Sequence, residues 1–242
     1  MTDLPDLPKL FAVIDATWPA RAKRALGPWT VRIDGAGGSR VSATTAEAPV
    51  TEADIAEAEA AMREVDQKPL FMIRPGQEAL DGWLAARGYT ARDVTNIYAA
   101  PVATIATDRP PPVTSFTVWP PLAVQVEIWA AGGVGPGRLD VMDRAMQPKT
   151  TLLGRLNDRP AGTGYVAIAG DCAMLHGLEV AKEHRRQGLA RHLTRAAAFW
   201  AQDEGAAWFT LLTTQANTGA NALYTSLGMV HVGQYHYRVL TE

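Results

Sequence analysis

The chain has 242 residues, 47% of them hydrophobic and 20% charged, which is ordinary for a folded globular protein and sufficient for one large domain or two small ones. A formal net charge of -2 gives no overall attraction to nucleic acid or anionic membrane, and the single cysteine, Cys172, excludes an intrachain disulfide. The start, Met1-Thr2-Asp3-Leu4-Pro5, lacks the basic and apolar regions of a signal peptide, and no stretch is long enough to span a bilayer. A cytoplasmic protein with no nucleic-acid or membrane partner is expected.

Taken in order, residues 4–25 read as helical with breaks at Pro8 and Pro19. Residues 29–33 and 40–44 alternate as strands around Asp34-Gly35-Ala36-Gly37-Gly38. Thr51 and the acidic residues after it open a helix over 51–65, since a hydroxyl caps free amides and carboxylates suit the positive end of the helix dipole. A short apolar strand over 70–74, a helix over 77–87 stopped by Gly88, and a strand over 94–100 follow. Pro101 and then Arg109-Pro110-Pro111-Pro112 bracket a stretch predicted to sustain neither a helix nor a central strand, which places a domain boundary there, between 1–108 and 113–242.

Beyond the boundary, helices are predicted over 122–130 and 138–146, with Gly132, Gly133, Gly135 and Gly137 between them. Strands follow over 150–156, 162–168 and 172–180, then a long helix over 188–204. Leu189, Leu193, Ala196, Ala197 and Trp200 lay one apolar stripe along that helix. A strand over 208–214, a helix over 217–227 ending at Gly228, and a final pair of strands over 229–240 complete an α+β (mixed α/β) plan.

Chemistry concentrates in the run from Gly177 to Ala190. A strand ends near Val180, a polar loop follows, and Gly188 stands at the mouth of the long helix. The first turn of a helix carries backbone N–H groups without intrahelical partners, and a residue without a β-carbon lets a phosphate approach them. Arg185 and Arg186 add formal positive charge beside them. That combination suits a phosphate or pyrophosphate; a solvated basic loop capped by glycine is the plainer alternative. The loop is neither a Walker loop, which needs a Gly-Lys-Ser/Thr triplet, nor a dinucleotide fingerprint, which needs further glycines.

Arg185-Arg186-Gln187-Gly188-Leu189-Ala190 resembles the Gln/Arg-x-x-Gly-x-Gly/Ala signature of the GNAT acetyltransferases. Downstream, Asn217-x-x-Ala220-x-x-Leu223-Tyr224-x-x-Leu227-Gly228-Met229 is similar to the family's C-terminal motif, with Met229 where phenylalanine or tyrosine is commoner. The resemblance covers residues 113–242. It implies the GNAT fold: a central, mostly antiparallel sheet flanked by helices, with a splayed strand that pairs with the pantetheine arm of acetyl-CoA through Leu178, Glu179 and Val180. It also implies that the amides of Arg185, Arg186, Gln187, Gly188, Leu189 and Ala190 hold the pyrophosphate, that Asn217 contacts the cofactor, and that Tyr224 protonates the departing thiolate. Read as a residue alone, without the motif around it, Tyr224 is better taken as an amphipathic side chain packed on a helix.

The base is open. Glu179 is the first candidate, because strand alternation sets it opposite Leu178 and Val180; a solvent-facing carboxylate is the alternative. By the same alternation His176 shares the side of Leu178 and is read as a satisfied, half-buried histidine. Relatives that acetylate ribosomal-protein N-termini carry a glutamate where this chain has Leu212, so that substrate class is not implied. His231 and His236 lack a carboxylate or cysteine at metal-ligand spacing, so no metal is expected.

The first half echoes the second. Leu80-x-x-Trp83-Leu84-Ala85-Ala86-Arg87-Gly88-Tyr89 aligns with Ala220-x-x-Leu223-Tyr224-Thr225-Ser226-Leu227-Gly228-Met229 when the glycines are superposed. Leu84 then replaces the tyrosine, and no arginine-flanked glycine loop precedes it. The reading is a tandem of two GNAT-like domains, the first without the cofactor motif. The function read from this is transfer of the acetyl group of acetyl-CoA to a primary amine of a small molecule or peptide. The alternatives are a non-catalytic CoA-binding sensor or partner-binding module, and an acyltransferase for longer chains. The sequence permits, and does not decide, a homodimer.

Overall fold

The computed structural model describes residues 4–240; the reading of the N-terminal start therefore rests mainly on residues outside the described ones. The elements are α1 (Leu7–Thr17), β1 (Ala22–Leu26), β2 (Trp29–Ile33), α2 (Ser39–Ser42), β3 (Thr45–Ala46), α3 (Asp54–Arg63), β4 (Leu70–Ile73), α4 (Glu78–Ala86), β5 (Tyr89–Pro101) and α5 (Val102–Ile105). They continue with β6 (Ser115–Val118), α6 (Ala123–Ala131), α7 (Pro136–Arg144), β7 (Lys149–Leu156), β8 (Arg159–Ala169), β9 (Cys172–Val180), α8 (Leu189–Asp203), β10 (Trp208–Thr214), α9 (Thr218–Ser226) and β11 (Val230–Leu240). A small sheet has the order β1-β2-β3, and a large one β4-β11-β5-β10-β9-β8-β7-β6. Within the large sheet only β9 and β10 pair in parallel. This is the mixed, mostly antiparallel sheet expected. No helix among the described residues is long and apolar enough to cross a membrane.

Four local expectations are corrected. Residues 22–26 form a strand, not the tail of a helix: α1 ends at Thr17, capped by Trp18 before Pro19, and Gly27, at φ +53°, turns the chain into a hairpin pairing Leu26 with Trp29. Residues 39–42 form one helical turn in place of a strand, which buries Val41 completely against the other half. Gly37 permits that approach, since a β-carbon there would lie 2.6 Å from methyls of both Val41 and Val141. Between the prolines a short helix does form, because Pro101 sits at its N-cap, where a missing N–H costs nothing. Residues 230–240 make one strand rather than two, because the hairpin partner comes from elsewhere in the chain.

That partner is β5. It lies between β10 and β11, while β11 lies between β5 and β4. The arrangement has an internal two-fold rule: adding 140 to a residue number in β4–α4–β5 gives its counterpart in β10–α9–β11, as Gly88 becomes Gly228. Helix α4 (Glu78–Ala86) becomes α9 (Thr218–Ser226) residue for residue. Pairing obeys the same rule: Val230 faces Ala99 and Val239 faces Thr90; Tyr237 faces Met72 and Ile97 faces Leu212. Side chains follow. The Asp81 carboxylate accepts from Arg238 and is hydrogen-bonded to His236, and the equivalent Asn221 amide oxygen accepts from Tyr98 and Asn96. Each unit completes its sheet with the other's last strand.

Helix α8 buries Leu189, Leu193, Ala197 and Ala201 against the large sheet. Glycines set its height. A β-carbon at Gly154 would lie 3.0 Å from Leu193, and one at Gly162 would lie 3.1 Å from both Leu189 and Leu193. The helix therefore rests directly on β7 and β8 and holds its first turn beside the end of β9.

Candidate active site

Strands β9 and β10 pair only from Cys172–Leu175 with Trp208–Leu211 and then part. Strand β9 keeps its other neighbour, β8, as far as Val180. The opening is a cavity of about 900 Å³, lined on its strand sides by 175–180 and 212–214 and closed by the starts of α8 and α9. The Ala181 N–H donates to Ala161, toward β8. Alternation along the strand then turns the amides of Leu178 and Val180 toward the gap, where a ligand can pair with them as a strand would.

At one end of the cavity stands the loop. Gly188 adopts φ +84°, the left-handed region, and serves as N-cap of α8 without any side-chain cap; Arg186 is also left-handed at φ +65°. No acceptor among the described residues takes the amides of Arg186, Gln187, Gly188, Leu189 or Ala190. Those free donors, at the positive end of a 15-residue helix dipole, form an anion seat. Arg186, Gly188, Leu189 and Ala190 line the cavity. The Gln187 side chain does not: it turns back to the carbonyl of Glu183. Arg185 lies at the edge, but its guanidinium is already engaged, donating to Val180 O at 2.9 Å and pairing with Glu179 at 2.9 Å.

Tyr224 lies on the inner face of α9, 6% exposed, and lines the cavity. Burial pushes its phenol up to about 12, so it stays protonated at any physiological pH. Asn217 is the N-cap of α9; its amide oxygen accepts from the Ala220 N–H at 3.1 Å, and it also lines the cavity. Glu179 faces α6: a β-carbon on Gly132 would lie 2.6 Å from its carboxyl carbon, so the glycine makes room for it. Cys172 is buried, with its thiol pushed up to about 12 by burial first and then by its hydrogen bond to Asp171, which leaves it unsuited as a nucleophile.

His176 is a correction. Strand alternation puts it with Leu178, but β9 carries a bulge at Gly177, φ +55°, where the register against β8 shifts between Tyr165–His176 and Thr163–Glu179. Leu175, Leu178 and Val180 consequently share the α8 side, while His176 and Glu179 share the other. The buried indole of Trp129 fixes the bulge by donating to the Gly177 carbonyl at 2.6 Å. His176 is fully buried, not half-buried, within 2.9 Å of the Thr17 hydroxyl and 3.2 Å of Arg40. The glycine inside a strand was the available signal. Arg40 and Thr95, from the first half, also line the cavity, and nothing in their local pattern marked them.

Comparison with known proteins agrees with this geometry. Residues 119–229 match the model of the Acetyltransferase (GNAT) family. The uncharacterized N-acetyltransferase YobR of Bacillus subtilis is 25% identical over 249 aligned residues, covering 97% of this chain and 98% of that protein. Among solved structures, a GCN5-related N-acetyltransferase from Kribbella flavida superposes with a TM-score of 0.68 at 19% identity, over 97% of this chain and 95% of that one. A tandem GNAT protein from the clavulanic acid biosynthesis pathway gives 0.60 at 14% identity, over 95% and 86%; these two are likenesses of fold. The family model spans both motifs, so residues 119–229 form a domain of the GNAT acetyltransferase family, and a relative named as an N-acetyltransferase is similar to the chain nearly end to end.

Proposed function

We propose that the chain moves the acetyl group of acetyl-CoA directly to a primary amine of a small molecule or peptide within a ternary complex. One observation carries the reading: a single cavity joins unpaired strand amides, an amide-lined helix mouth and a buried phenol. Acetyl-CoA supplies the thioester. The amides of Arg186 to Ala190 hold its diphosphate, Leu178 and Val180 pair with the pantetheine, and Asn217 borders the arm. Glu179, or water beside it, accepts the proton the amine loses as its nitrogen bonds the acetyl carbon. The carbon–sulfur bond breaks, and Tyr224 donates to the sulfur. From a phenol near 12 to a thiolate whose conjugate acid is near 8.5, complete transfer is uphill by roughly 5 kcal/mol, so the hydrogen bond to the developing charge is the catalytic contribution.

We read 113–242 as the catalytic domain and 1–108 as a GNAT-like domain without cofactor equipment. The 140-residue correspondence supports this, as does the placement of α1, α2 and Arg40 over the acceptor side of β9. The test measures thiol release from acetyl-CoA over a panel of amines, alongside CoA binding by calorimetry. Release with a suitable amine is expected; binding without release for every amine would replace the enzyme with a CoA sensor.

A further inference from the structure

Next to the cofactor cavity lies a second one of about 360 Å³, and the two share Arg40, Thr95, His176 and Leu212 in their walls. The second cavity lies on the His176 side of β9, where an acceptor must enter to meet the thioester. Its wall comes from both halves: Arg40 from α2, Trp18 beyond α1, Arg138 from α7, and Tyr235 and Tyr237 from β11.

Arg40 is the unusual member. Its guanidinium is partly buried, yet no carboxylate among the described residues lies within ion-pair distance. The guanidinium lies 3.2 Å from His176 Nδ1, beside the phenols of Tyr235 and Tyr237, and over the ring of Trp18 at 5.6 Å. Because arginine only donates, Nδ1 must accept. Nε2 therefore carries the proton and donates to Thr17 Oγ1 at 2.9 Å, whose own hydrogen goes to Val13 O at 2.7 Å. His176 is thus a neutral, fully satisfied ring that aims Arg40 and has no lone pair left for catalysis. It is a positioning residue.

Residues lining this cavity also carry two polar atoms, Arg40 Nε and the Tyr235 hydroxyl, that are buried without a well-aligned hydrogen-bond partner among the described residues. Arg40, Tyr235 and Tyr237 nevertheless lie close enough to act on one another. Burial also holds the neighbouring Tyr237 phenol well above the usual tyrosine range, so it does not neutralise the guanidinium. The single carboxylate lining this cavity, Asp93, is on the exposed rim, as is a second cation, Arg138. A positive group, a phenol and a ring nitrogen's neighbour left in this state match a planar, singly charged acceptor of hydrogen bonds.

We infer that the second cavity selects acceptors that carry a carboxylate, received by Arg40 with the Tyr235 hydroxyl, while the amine of the same molecule reaches the thioester. The inference rests on the acetyl-transfer reading above and names its substrate class.

The test uses the full-length protein and a ladder of ω-amino acids from glycine to 6-aminohexanoate, each beside its carboxamide. Expected is a preferred chain length whose acid has kcat/KM at least about tenfold above its carboxamide. Arg40→Met should then reduce the acid about 30-fold or more against a several-fold smaller change for the carboxamide, and Arg40→Lys should recover part of the loss. Equal turnover of acids and carboxamides by the wild type overturns the inference. So does an Arg40→Met variant that loses both equally with a lower Tm, the signature of a purely structural arginine. Should no member of the ladder be acetylated, titration of the CoA complex with the same compounds separates the two readings. Acids binding better than carboxamides, with the difference gone in Arg40→Met, keeps the carboxylate site while acetyl transfer fails. No difference in binding overturns the site and leaves acetyl transfer to be judged on other amines.

Discussion

The units β4–α4–β5 and β10–α9–β11 share their helix length, register and even the paired contacts of Asp81 and Asn221, yet the candidate cofactor cavity is built on the helix of only one, the other contributing Thr95 to its wall. The differences are few and local. Helix α3 ends at Arg63 and α8 at Asp203, which are 140 apart, but α3 begins at Asp54 where α8 begins at Leu189, five residues earlier on the same scale. The missing turn is the one that would present free amides. Pro49 stands where α8 has Leu189, and Asp54 and Glu57 put negative charge where an anion would sit. The strand gap is also laced shut. Gln77, counterpart of Asn217, donates across it to Ala46 O at 2.9 Å, and Arg74 pairs with Glu47 at 2.9 Å. Leu84, counterpart of Tyr224, is wholly buried in a core with Trp29 and Phe71. A cofactor site in this fold thus depends on one extra helical turn and an unlaced gap, not on the frame.

The strongest way to break the comparison is at that turn. Gly188→Glu places a carboxylate in the anion seat and a side chain at φ +84°; calorimetry should show CoA affinity reduced about 1,000-fold, some 4 kcal/mol, with the circular dichroism spectrum retained. Wild-type affinity in that variant would remove the diphosphate assignment altogether. The next effect is at Tyr224. Tyr224→Phe is expected to lower kcat about 100-fold, near 2.7 kcal/mol, while CoA binding holds; parallel losses in both would make the tyrosine a packing residue like Leu84.

A third prediction concerns the charged copy of the shared contact. Arg238 first, with help from His236, holds the Asp81 carboxyl below the ordinary range. Its contribution is present above the unfolded value of about 3.8 and lost as pH falls through the lower folded one. Asp81→Asn, which copies position 221, should cost about 2 kcal/mol at pH 7 and flatten the decline of Tm below pH 4. An unchanged acid limb would show that Asp81 is not the group being titrated.

How much of this was legible beforehand follows from the range of the forces involved. Strand β9, strand β10 and helix α8 were readable because alternation, an apolar stripe and Gly188 are local signals. The alignment of Gly88 with Gly228 was readable as well, since both glycines end a helix at positive φ. The exchange of β5 for the second half of an expected hairpin was not, because Val230 and Ala99 are far apart in sequence and either strand would satisfy the other's edge. The bulge at Gly177 moved His176 to the opposite face, an inversion that a period-two count cannot detect. Arg40 was hidden for a different reason: its partners, His176 and Trp18, come together only when the halves pack.

The smallest effect separates capping from cofactor contact. Asn217 caps α9 through the Ala220 amide, whereas Gln77 at the matching position accepts from Arg74 N and reaches across to Ala46, leaving α4 without a side-chain cap. Asn217→Ala should therefore cost about 1 kcal/mol of stability, while Asn217→Ser, which can still accept from the helix, should recover most of it. CoA binding supplies the discriminating readout. If the Asn217 amide also touches the cofactor, the serine variant regains Tm but not affinity; if it regains both, position 217 contributes only by holding the first turn of α9, and with it Tyr224, in place.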